Sequence, residues 1–279
     1  MFEDVYDIDT LMKRRADLCK DADEYPDITA VSLDEFTPVL LDDFKSIIRE
    51  TTFACAPEIS INPVLTGVNL EYEDNKVTFT ALDGYKMASK NINVGKAAEE
   101  SKNIIIPGRM LNEILKIVSN YQDDPRFSIS SNKFIVEVEN TQIQCSLLNG
   151  PYIKYKSLIP IEINTFVNCN KENLLKSIER ASVITDESHN SLIKMDFKDE
   201  EVTITSNSDI GGITELVNID KRGNDLKIAF NAKYVLDILK NIHDERIEME
   251  FRDKSGPCII KPVDNNNYLY LIMPVRYSE

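Results

Sequence analysis

The feature of this 279-residue sequence that most constrains its fold is an internal repeat. Phe44 in a predicted helix recurs as Leu174, 130 residues later, and Ile114 in a second helix recurs as Ile238, 124 residues later. Each copy has the order helix, strands, helix, strands, and such an order at a nearly fixed spacing indicates duplicated structural units. The sequence therefore predicts an α+β fold of two repeated domains, each with two helices packed on antiparallel sheets.

The elements of the two copies are recognised from the spacing of their apolar residues. Helices are predicted at 43–50, 106–116, 173–180 and 230–240, with Pro107 in a first turn and Asn231 as an N-cap. Strands are predicted at 68–72, 77–81, 126–130, 134–139 and 142–147, and again at 193–197, 202–206, 246–251, 257–261 and 268–273. The turns between the first two strands of each copy also match.

Residues 1–36 differ from both copies. Lys13-Arg14-Arg15 is followed by a polar, turn-rich stretch at 21–27, which is typical of an edge or linker. We therefore expect a boundary near Asp34, one domain at 37–160 and a second at 161–279. A duplicated α+β design alone does not define a function.

Composition and charge limit the class of protein. The net charge is −15, which argues against a surface coated in basic groups for gripping nucleic acid or anionic lipid. Apolar runs such as 269–275 are strand-sized, well below the ~20 residues of a membrane span. The acidic start has no apolar core typical of a signal peptide. We expect a soluble, cytoplasmic protein that does not contact membranes.

Neither a metal site nor a catalytic centre is expected. Five scattered cysteines without a C-x-x-C motif, and two histidines, predict reduced thiols and neither metal nor cofactor. The acidic groups Asp123-Asp124 and 199–201 suggest a metal-dependent nuclease as the competing class, but they lie in predicted turns, where solvated charge is common. No phosphate-binding glycine loop occurs, and neither His189 nor His243 stands in a nucleophile motif. A hydrolysis assay with Mg²⁺ or Mn²⁺ separates the classes.

The predicted helices are basic relative to the rest of the chain. Together they carry slightly more Lys and Arg than Asp and Glu, so the remainder is more acidic than the net charge of −15. Solvation of exposed helix faces explains such residues in any amphipathic helix. The alternative is a segregated surface, in which the helix layer faces a polyanion.

Five separated motifs occur in order along the chain. They are Pro63-Val64-Leu65-Thr66-Gly67-Val68, Ala81-Leu82-Asp83-Gly84-Tyr85-Lys86-Met87-Ala88, Ile105-Ile106-Pro107-Gly108, Asn149-Gly150-Pro151-Tyr152 with Ile159-Pro160, and Tyr270-Leu271-Ile272-Met273-Pro274-Val275-Arg276. With this spacing, the sequence from about residue 17 to 277 resembles the bacterial DNA polymerase III β-subunit family, the sliding clamps. The resemblance implies a non-catalytic processivity factor.

The resemblance also implies an architecture. Family members have three domains per chain, each with two helices inside and sheets outside, closed head to tail as a dimer around duplex DNA. This sequence resembles the second and third domains, and residues 17–33 resemble the last strand of the first domain and its linker. Three alternatives stay open: a shortened gene product, a first domain supplied by another polypeptide, and a ring of three two-domain chains.

Two sets of site residues follow from the resemblance. A modest basic lining around DNA, suited to sliding without sequence preference, is predicted from Lys45, Arg49, Arg109, Lys116, Lys176, Arg180, Lys233 and Lys240. An apolar cleft for short peptides of the DNA polymerase III α subunit, the clamp loader δ subunit, other polymerases and repair proteins is predicted between the second and third domains. Its wall is Leu65, Leu82, Gly84, Tyr85, Lys86, Met87, Ile153, Ser157, Leu158, Leu271, Met273, Pro274, Val275 and Arg276.

Charge and shape in this predicted cleft suggest its ligands. Lys86 and Arg276 are expected to meet acidic residues or a peptide carboxylate, and the methionines to adapt to several ligands. Leu82, Ile153 and Lys154 depart from the family pattern, which predicts a shifted peptide preference. The alternative function is a clamp fragment that binds partner peptides without encircling DNA.

Overall fold

The computed structural model describes residues 36–57, 60–130, 132–184, 191–208, 211–263, 265 and 267–277. Residues 36–279 form one compact unit. The predicted boundary near Asp34, all but the last residue of the predicted remnant at 1–36, Cys19 and His189 lie outside the described residues.

The first repeat runs from β1 to β8. Its helices are α1 (Leu41–Thr52) and α2 (Gly108–Val118). Its strands are β1 (Thr37–Pro38), β2 (Gly67–Glu73), β3 (Lys76–Leu82), β4 (Lys86–Asn93), β5 (Lys102–Pro107), β6 (Arg126–Ser130), β7 (Lys133–Val138) and β8 (Thr141–Ser146). Two short 3-10 helices, Pro63–Thr66 and Tyr155–Leu158, lie in its loops.

The second repeat runs from β9 to β16. Its helices are α3 (Lys171–Ile184) and α4 (Ala232–Lys240). Its strands are β9 (Thr165–Asn170), β10 (Leu192–Lys198), β11 (Glu201–Ser208), β12 (Gly211–Gly223), β13 (Leu226–Asn231), β14 (Arg246–Phe251), β15 (Cys258–Pro262) and β16 (Tyr268–Ile272). The described part of the chain therefore repeats one order of elements twice.

The strands form two antiparallel sheets. One has the order β1-β6-β7-β8, and the other runs through twelve strands in the order β13-β10-β11-β12-β9-β14-β15-β16-β4-β3-β2-β5. The pairing of β16 with β4 joins the second repeat to the first, with Tyr270 opposite Ala88. The larger sheet is therefore continuous across both repeats.

All four described helices pack against a single hydrophobic core. Each helix buries an apolar stripe, such as Phe44, Ile47 and Ile48 in α1, which are at most 2% exposed. α1 packs against α2 and against β3 and β4, while α3 packs against α4, β11 and β12. Burial of these stripes drives helix docking because each apolar Å² removed from water stabilises the fold by about 25 cal/mol.

The predicted fold class is confirmed, and the predicted helices and strands all form. The Asn231 side chain accepts a hydrogen bond from the Lys233 backbone N–H at 2.9 Å, as an N-cap does. Pro107 precedes the first helical residue rather than lying in the first turn. Ile106 and Phe230, included in predicted helices, lie in β5 and β13 instead, and both are buried in the core.

Candidate functional site

The paired strands β4 and β16 form the β4–β16 junction between the two repeats, and its two faces pack against different parts of the molecule. Successive strand residues point to opposite faces, so Ala88 of β4 and Tyr270 of β16 lie in the core beneath the helices. Met87 and Leu271, one residue away in each strand, belong to a second apolar cluster. The same pair of strands therefore supports the helix layer on one side and a separate apolar surface on the other.

The second apolar cluster gathers many of the predicted cleft residues. Leu65, Leu82, Met87 and Leu271 are packed together and at most 9% exposed. Tyr155 packs among them, and its hydroxyl donates to Glu71 Oε2 at 2.5 Å. The structure therefore places these four predicted wall residues in a packed apolar floor.

The accessible apolar surface of the predicted cleft comes from other residues. Ile153 and Met273 are each 39% exposed, Leu158 is 44% exposed and Tyr85 is 59% exposed. Ile153 and Leu158 flank the buried Tyr155 in the chain, and the Met273 backbone N–H donates to the Tyr85 carbonyl at 2.8 Å. Exposed apolar side chains beside a buried apolar floor form a surface onto which an apolar ligand side chain can pack.

The remaining predicted cleft residues lie at the edges of this surface. Gly84, Ser157 and Arg276 are exposed, while Pro274 and Val275 are half-buried. The Val275 backbone N–H donates to the Ala229 carbonyl at 2.8 Å, which ties the segment after β16 to β13.

A tight turn connects β3 to β4 at this surface. Asp83 Oδ1 accepts hydrogen bonds from the backbone N–H groups of Tyr85 and Lys86, at 2.8 and 2.9 Å. Gly84 has φ of 95°, a conformation that favours glycine. The turn therefore holds Tyr85 outward by backbone geometry.

Lys86 does not face the predicted cleft. Its Nζ lies 2.7 Å from Asp237 Oδ2 of α4 and 4.9 Å from the centre of the Tyr234 ring, and its side chain is 8% exposed. Strand alternation explains the correction, because Met87 points to the apolar floor and the preceding residue must point to the helices. Lys86 therefore links the two repeats instead of offering a charge to a peptide.

Two aromatic residues at this surface escape detection from sequence. Tyr155 lies between the predicted residues Ile153 and Ser157, and that position is the signal that could have found it. Tyr234 of α4 stacks on Tyr85 with ring centres 5.5 Å apart. No local pattern in the sequence brings Tyr234 to a turn almost 150 residues away.

The helices carry the predicted basic residues on their solvent-facing sides. Arg49, Arg109, Lys116, Lys176, Arg180, Lys233 and Lys240 are exposed, and Lys45 is half-buried. Several are paired with carboxylates: Lys116 with Glu113 at 2.8 Å, Lys176 with Glu172 at 3.3 Å and Lys240 with Glu179 at 3.3 Å. Hydrogen bonds from Lys116 and Lys176 hold the pKa of Glu113 and Glu172 below the ordinary value. This pairing moderates the positive field of the helix layer.

Lys45 and Arg49 differ from these residues. They stand one turn apart on α1, and neither forms an ion pair with any part of the chain that the structure describes. Their charges are thus the least compensated among the predicted DNA-facing groups.

The acidic residues that suggested a nuclease lie at a helix start and in a turn between strands. Asp124 Oδ1 accepts a hydrogen bond from the Leu41 backbone N–H at 2.8 Å, at the start of α1. Asp199 and Glu200 form the turn between β10 and β11. Among the described residues, no three His, Cys, Asp or Glu side chains gather as metal ligands. No described helix is long and apolar enough to cross a bilayer.

Comparison with known families accounts for this arrangement. Residues 39–154 match the model of the DNA polymerase III beta subunit, central domain, and residues 156–276 match that of its C-terminal domain. The Staphylococcus epidermidis beta sliding clamp is 36% identical over 258 residues, which cover 92% of this chain and 68% of that protein. The match to each relative therefore extends over about two thirds of the relative's length.

Solved structures agree with the sequence comparison. The DNA polymerase sliding clamp of Bacillus subtilis matches with a TM-score of 0.88 and 32% identity, over 93% of this chain and 69% of that one. A putative DNA polymerase III beta subunit of Eubacterium rectale matches with a TM-score of 0.86 and 32% identity, over 92% and 70%. The chain belongs to the DNA polymerase III β-subunit family, and its function is that of a DNA sliding clamp.

Proposed function

We propose that this chain contributes two clamp domains to a ring around duplex DNA, with its helices facing the DNA and the apolar surface near Met273 docking partner peptides. The partners are the DNA polymerase III α subunit, the clamp loader δ subunit, and other polymerases and repair proteins that carry short apolar motifs. The ring acts through its topology and not through a chemical reaction, because a closed ring keeps a bound polymerase beside its template.

The observation that carries this proposal is the separation of two surfaces by one sheet. The core beneath α1 to α4 lies on one face of the β4–β16 junction, and the cluster of Leu82, Met87 and Leu271 lies on the other. A protein that slides on DNA while holding a second protein needs two surfaces that do not compete. The two-faced junction supplies that arrangement.

The charge distribution supports weak, non-specific DNA contact. Lys and Arg side chains neutralise phosphates and release counterions without reading base sequence. Ion pairs such as Lys116–Glu113 reduce the charge offered to DNA, so the helix layer centres the duplex without gripping it. The acidic remainder of the chain, within a net charge of −15, repels DNA from the other surfaces.

The peptide-docking part of the proposal depends on the exposed apolar rim. Ile153, Leu158 and Met273 are exposed and lie within three residues of cluster members along the chain, so a ligand side chain can gain apolar burial without the cost of opening the core. Methionine adapts its shape to different ligands, which suits a surface shared by several partners.

A retention assay tests the ring. The protein, with clamp loader and ATP, is loaded on nicked circular duplex, which is then passed through a gel-filtration column before and after linearisation. We expect protein to stay with the circle and leave the linear DNA, since sliding off requires an end. A chain that binds polymerase-tail peptide yet is never retained on the circle is instead the fragment that docks partners without encircling DNA.

A further inference from the structure

The second repeat has a cavity of about 430 Å³ over β10, β11 and β13. Asp196, Thr205 and Tyr277 are among the residues that line it, on the face of the sheet opposite the core. Its volume lies within the roughly 300–1,000 Å³ of ligand pockets. None of its lining residues belongs to the second apolar cluster or to the predicted cleft. The cavity is therefore a separate site.

The internal repeat identifies the corresponding place in the first repeat. The β2–β3 and β10–β11 hairpins have the same two-residue turn, with a positive φ at Asp74 (50°) and Asp199 (46°). Three residues before these positions stand Glu71 of β2 and Asp196 of β10. The cavity carboxylate Asp196 is therefore the counterpart of Glu71.

A second contact agrees with this correspondence. The Leu148 N–H donates to the Ile105 carbonyl of β5 at 2.9 Å, and the Val275 N–H donates to the Ala229 carbonyl of β13 at 2.8 Å. In each repeat, the chain after the last strand thus returns to the strand beside β2 or β10. Tyr277, two residues after Val275, then reaches the cavity.

A tyrosine fills the corresponding place in the first repeat. Tyr155 is buried, and its hydroxyl donates to Glu71 Oε2 at 2.5 Å. Burial and the hydrogen bond to Glu71 raise the pKa of Tyr155, while a hydrogen bond with Thr80 lowers it. The hydroxyl therefore binds between a carboxylate and a threonine of adjacent strands.

The second repeat keeps both polar groups but, among the described residues, not the tyrosine. Thr205 of β11 corresponds to Thr80, because each stands six residues after the turn position with positive φ. Asp196 Oδ2 contacts Lys198 and Lys227, while Asp196 Oδ1 is buried and has no hydrogen-bond partner in the described part of the chain. A buried acceptor left unpaired is costly. A hydroxyl donor is the group that the first repeat supplies at this position.

We propose that this cavity binds a tyrosine side chain from an acidic segment of a partner protein, with the tyrosine hydroxyl donating to Asp196. Tyr277 supplies an aromatic wall for the ring of the ligand. Lys194 and Lys227 outnumber Asp196 among the charged residues of the cavity, so acidic neighbours of the tyrosine complement its charge. This site follows from the internal repeat and does not depend on the proposed function.

The surroundings of the cavity favour tyrosine over phenylalanine. Leu82 and Met87, paired in the apolar floor of the first repeat, correspond to the paired Asn207 and Gly212 in the second. The second repeat therefore lacks that apolar floor. Binding depends on the hydroxyl and on charge, because little apolar surface is available to hold a ring by itself.

Fluorescence anisotropy with matched peptides tests the ligand. The probes are fluorescein-labelled pentapeptides with tyrosine or phenylalanine between pairs of glutamates, titrated with the 279-residue chain. We expect the tyrosine peptide to bind at least about fivefold more tightly, because a site with an unpaired polar group rejects an analogue without the hydroxyl. A tyrosine peptide flanked by lysines should bind at least about tenfold more weakly than the glutamate peptide.

Two variants locate the contact. Asp196→Ala should give the tyrosine and phenylalanine peptides equal, weak affinities, and Thr205→Val should reduce the preference for tyrosine. Asp196→Ala should fold, since the lysines that pair with Asp196 are exposed and such pairs contribute little to stability. The matched control is Asp220→Ala, which removes an exposed carboxylate from the same face of the sheet outside the cavity and should keep the preference.

Equal binding of the tyrosine and phenylalanine peptides to the unmodified chain overturns the inference, as does an equal loss of preference in Asp220→Ala. A chain dimer that Asp196→Ala dissociates would assign the cavity to a second copy and would also overturn it. Leu158→Asp separates the two proposals. Tyrosine-peptide binding that survives this change supports the cavity whatever happens to polymerase-tail binding, and a loss would place the peptide on the rim near Met273.

Discussion

At the scale of single residues, neighbours in the chain have unrelated roles. Lys86 and Met87 are adjacent, yet one is an ion-pair partner of α4 and the other a part of the apolar floor. The sequence motif around Asp83-Gly84 indicates a site, but the orientation of each side chain depends on strand alternation and on which strand lies alongside.

The exposed rim gives the first residue-scale prediction. Met273→Asp and Leu158→Asp should each weaken binding of a polymerase-tail peptide at least 30-fold, because a carboxylate replaces apolar contact surface. Fluorescence anisotropy measures the binding. Melting temperatures should stay near wild type, since both side chains are about 40% exposed. Val263→Asp, at a side chain of similar exposure, is the control, and an equal loss of binding there would contradict the assignment.

Lys86 gives a second prediction. Lys86→Met should lower the free energy of unfolding by about 1–3 kcal/mol, less than a fully buried pair because Asp237 is 47% exposed. Urea unfolding followed by circular dichroism measures the change. Lys176→Met, which breaks an exposed pair with Glu172, should leave the midpoint unchanged. A stable Lys86→Met variant with weaker peptide binding would restore Lys86 to the docking surface.

The buried thiols predict a pH dependence. Burial raises the pKa of Cys169 to about 12 and that of Cys145 to about 11, from 9.0. The unfolded thiols ionise first, so this contribution to stability is complete below pH 9 and is lost as pH rises towards 12. Unfolding under reducing conditions at pH 8 and 10.5 should show the loss. Cys169→Ala should reduce the difference between the two pH values, and an unchanged difference would refute this origin.

At the scale of elements, turns with left-handed glycines fix where strands begin and end. Gly84 has φ of 95° and open space around it, while Gly223 has φ of 99° and ends β12 against Asn164. A Cβ at Gly223 would stand 2.0 Å from the Asn164 carbonyl oxygen. The two positions share a backbone conformation and differ in packing.

This difference gives a paired prediction. Gly84→Ala should cost about 1 kcal/mol, from backbone strain alone. Gly223→Ala should cost at least about 3 kcal/mol, or prevent folding, because the clash with Asn164 adds to the same strain. Thermal unfolding of the two variants compares their losses of stability. Equal melting temperatures would show that the strand end at Gly223 relaxes around the new methyl group.

Sequence patterns predict the elements well where one face is buried. Alternation locates 126–130 and 246–251 with the observed bounds, and apolar spacing locates all four described helices. β1, β4, β5, β9 and β13 are absent from the predicted set of strands. β12, the longest strand at 13 residues, is absent too, because its apolar alternation is short, at 217–220, and is flanked by glycines and charged residues. Its stability comes from ladders to β11 and β9, which no local pattern encodes.

The candidate site is only partly readable from sequence for the same reason. The motifs bring Leu82, Met87 and Leu271 together correctly, because these residues come from paired strands. Their burial depends on Tyr155 and Tyr152 arriving from a loop, and the inward turn of Lys86 depends on Asp237 in the other repeat. Long-range packing decides which residues of a motif remain accessible.

At the scale of the whole molecule, the helix layer and the outer sheet should respond differently to charge. Lys45→Glu with Arg49→Glu should lower retention on circular DNA at least fivefold and reduce its salt dependence, because two uncompensated cations are reversed. Lys198→Glu with Lys227→Glu is the matched control, since both lysines pair with Asp196 on the face of the sheet opposite the core. Retention is measured at several salt concentrations. An equal loss of retention in both variants would mean that positive charge on the helices contributes no more to DNA retention than positive charge on the sheet.

The uninterrupted ladder from β13 to β5 has a mechanical consequence. Torque applied to one half of the chain passes to the other through backbone hydrogen bonds between β16 and β4, reinforced by the Lys86–Asp237 ion pair. The two repeats should therefore move as one rigid unit rather than rotate about a hinge between them. Separating the two repeats at the β16–β4 pairing should therefore require more force than detaching the terminal strands β13 or β5.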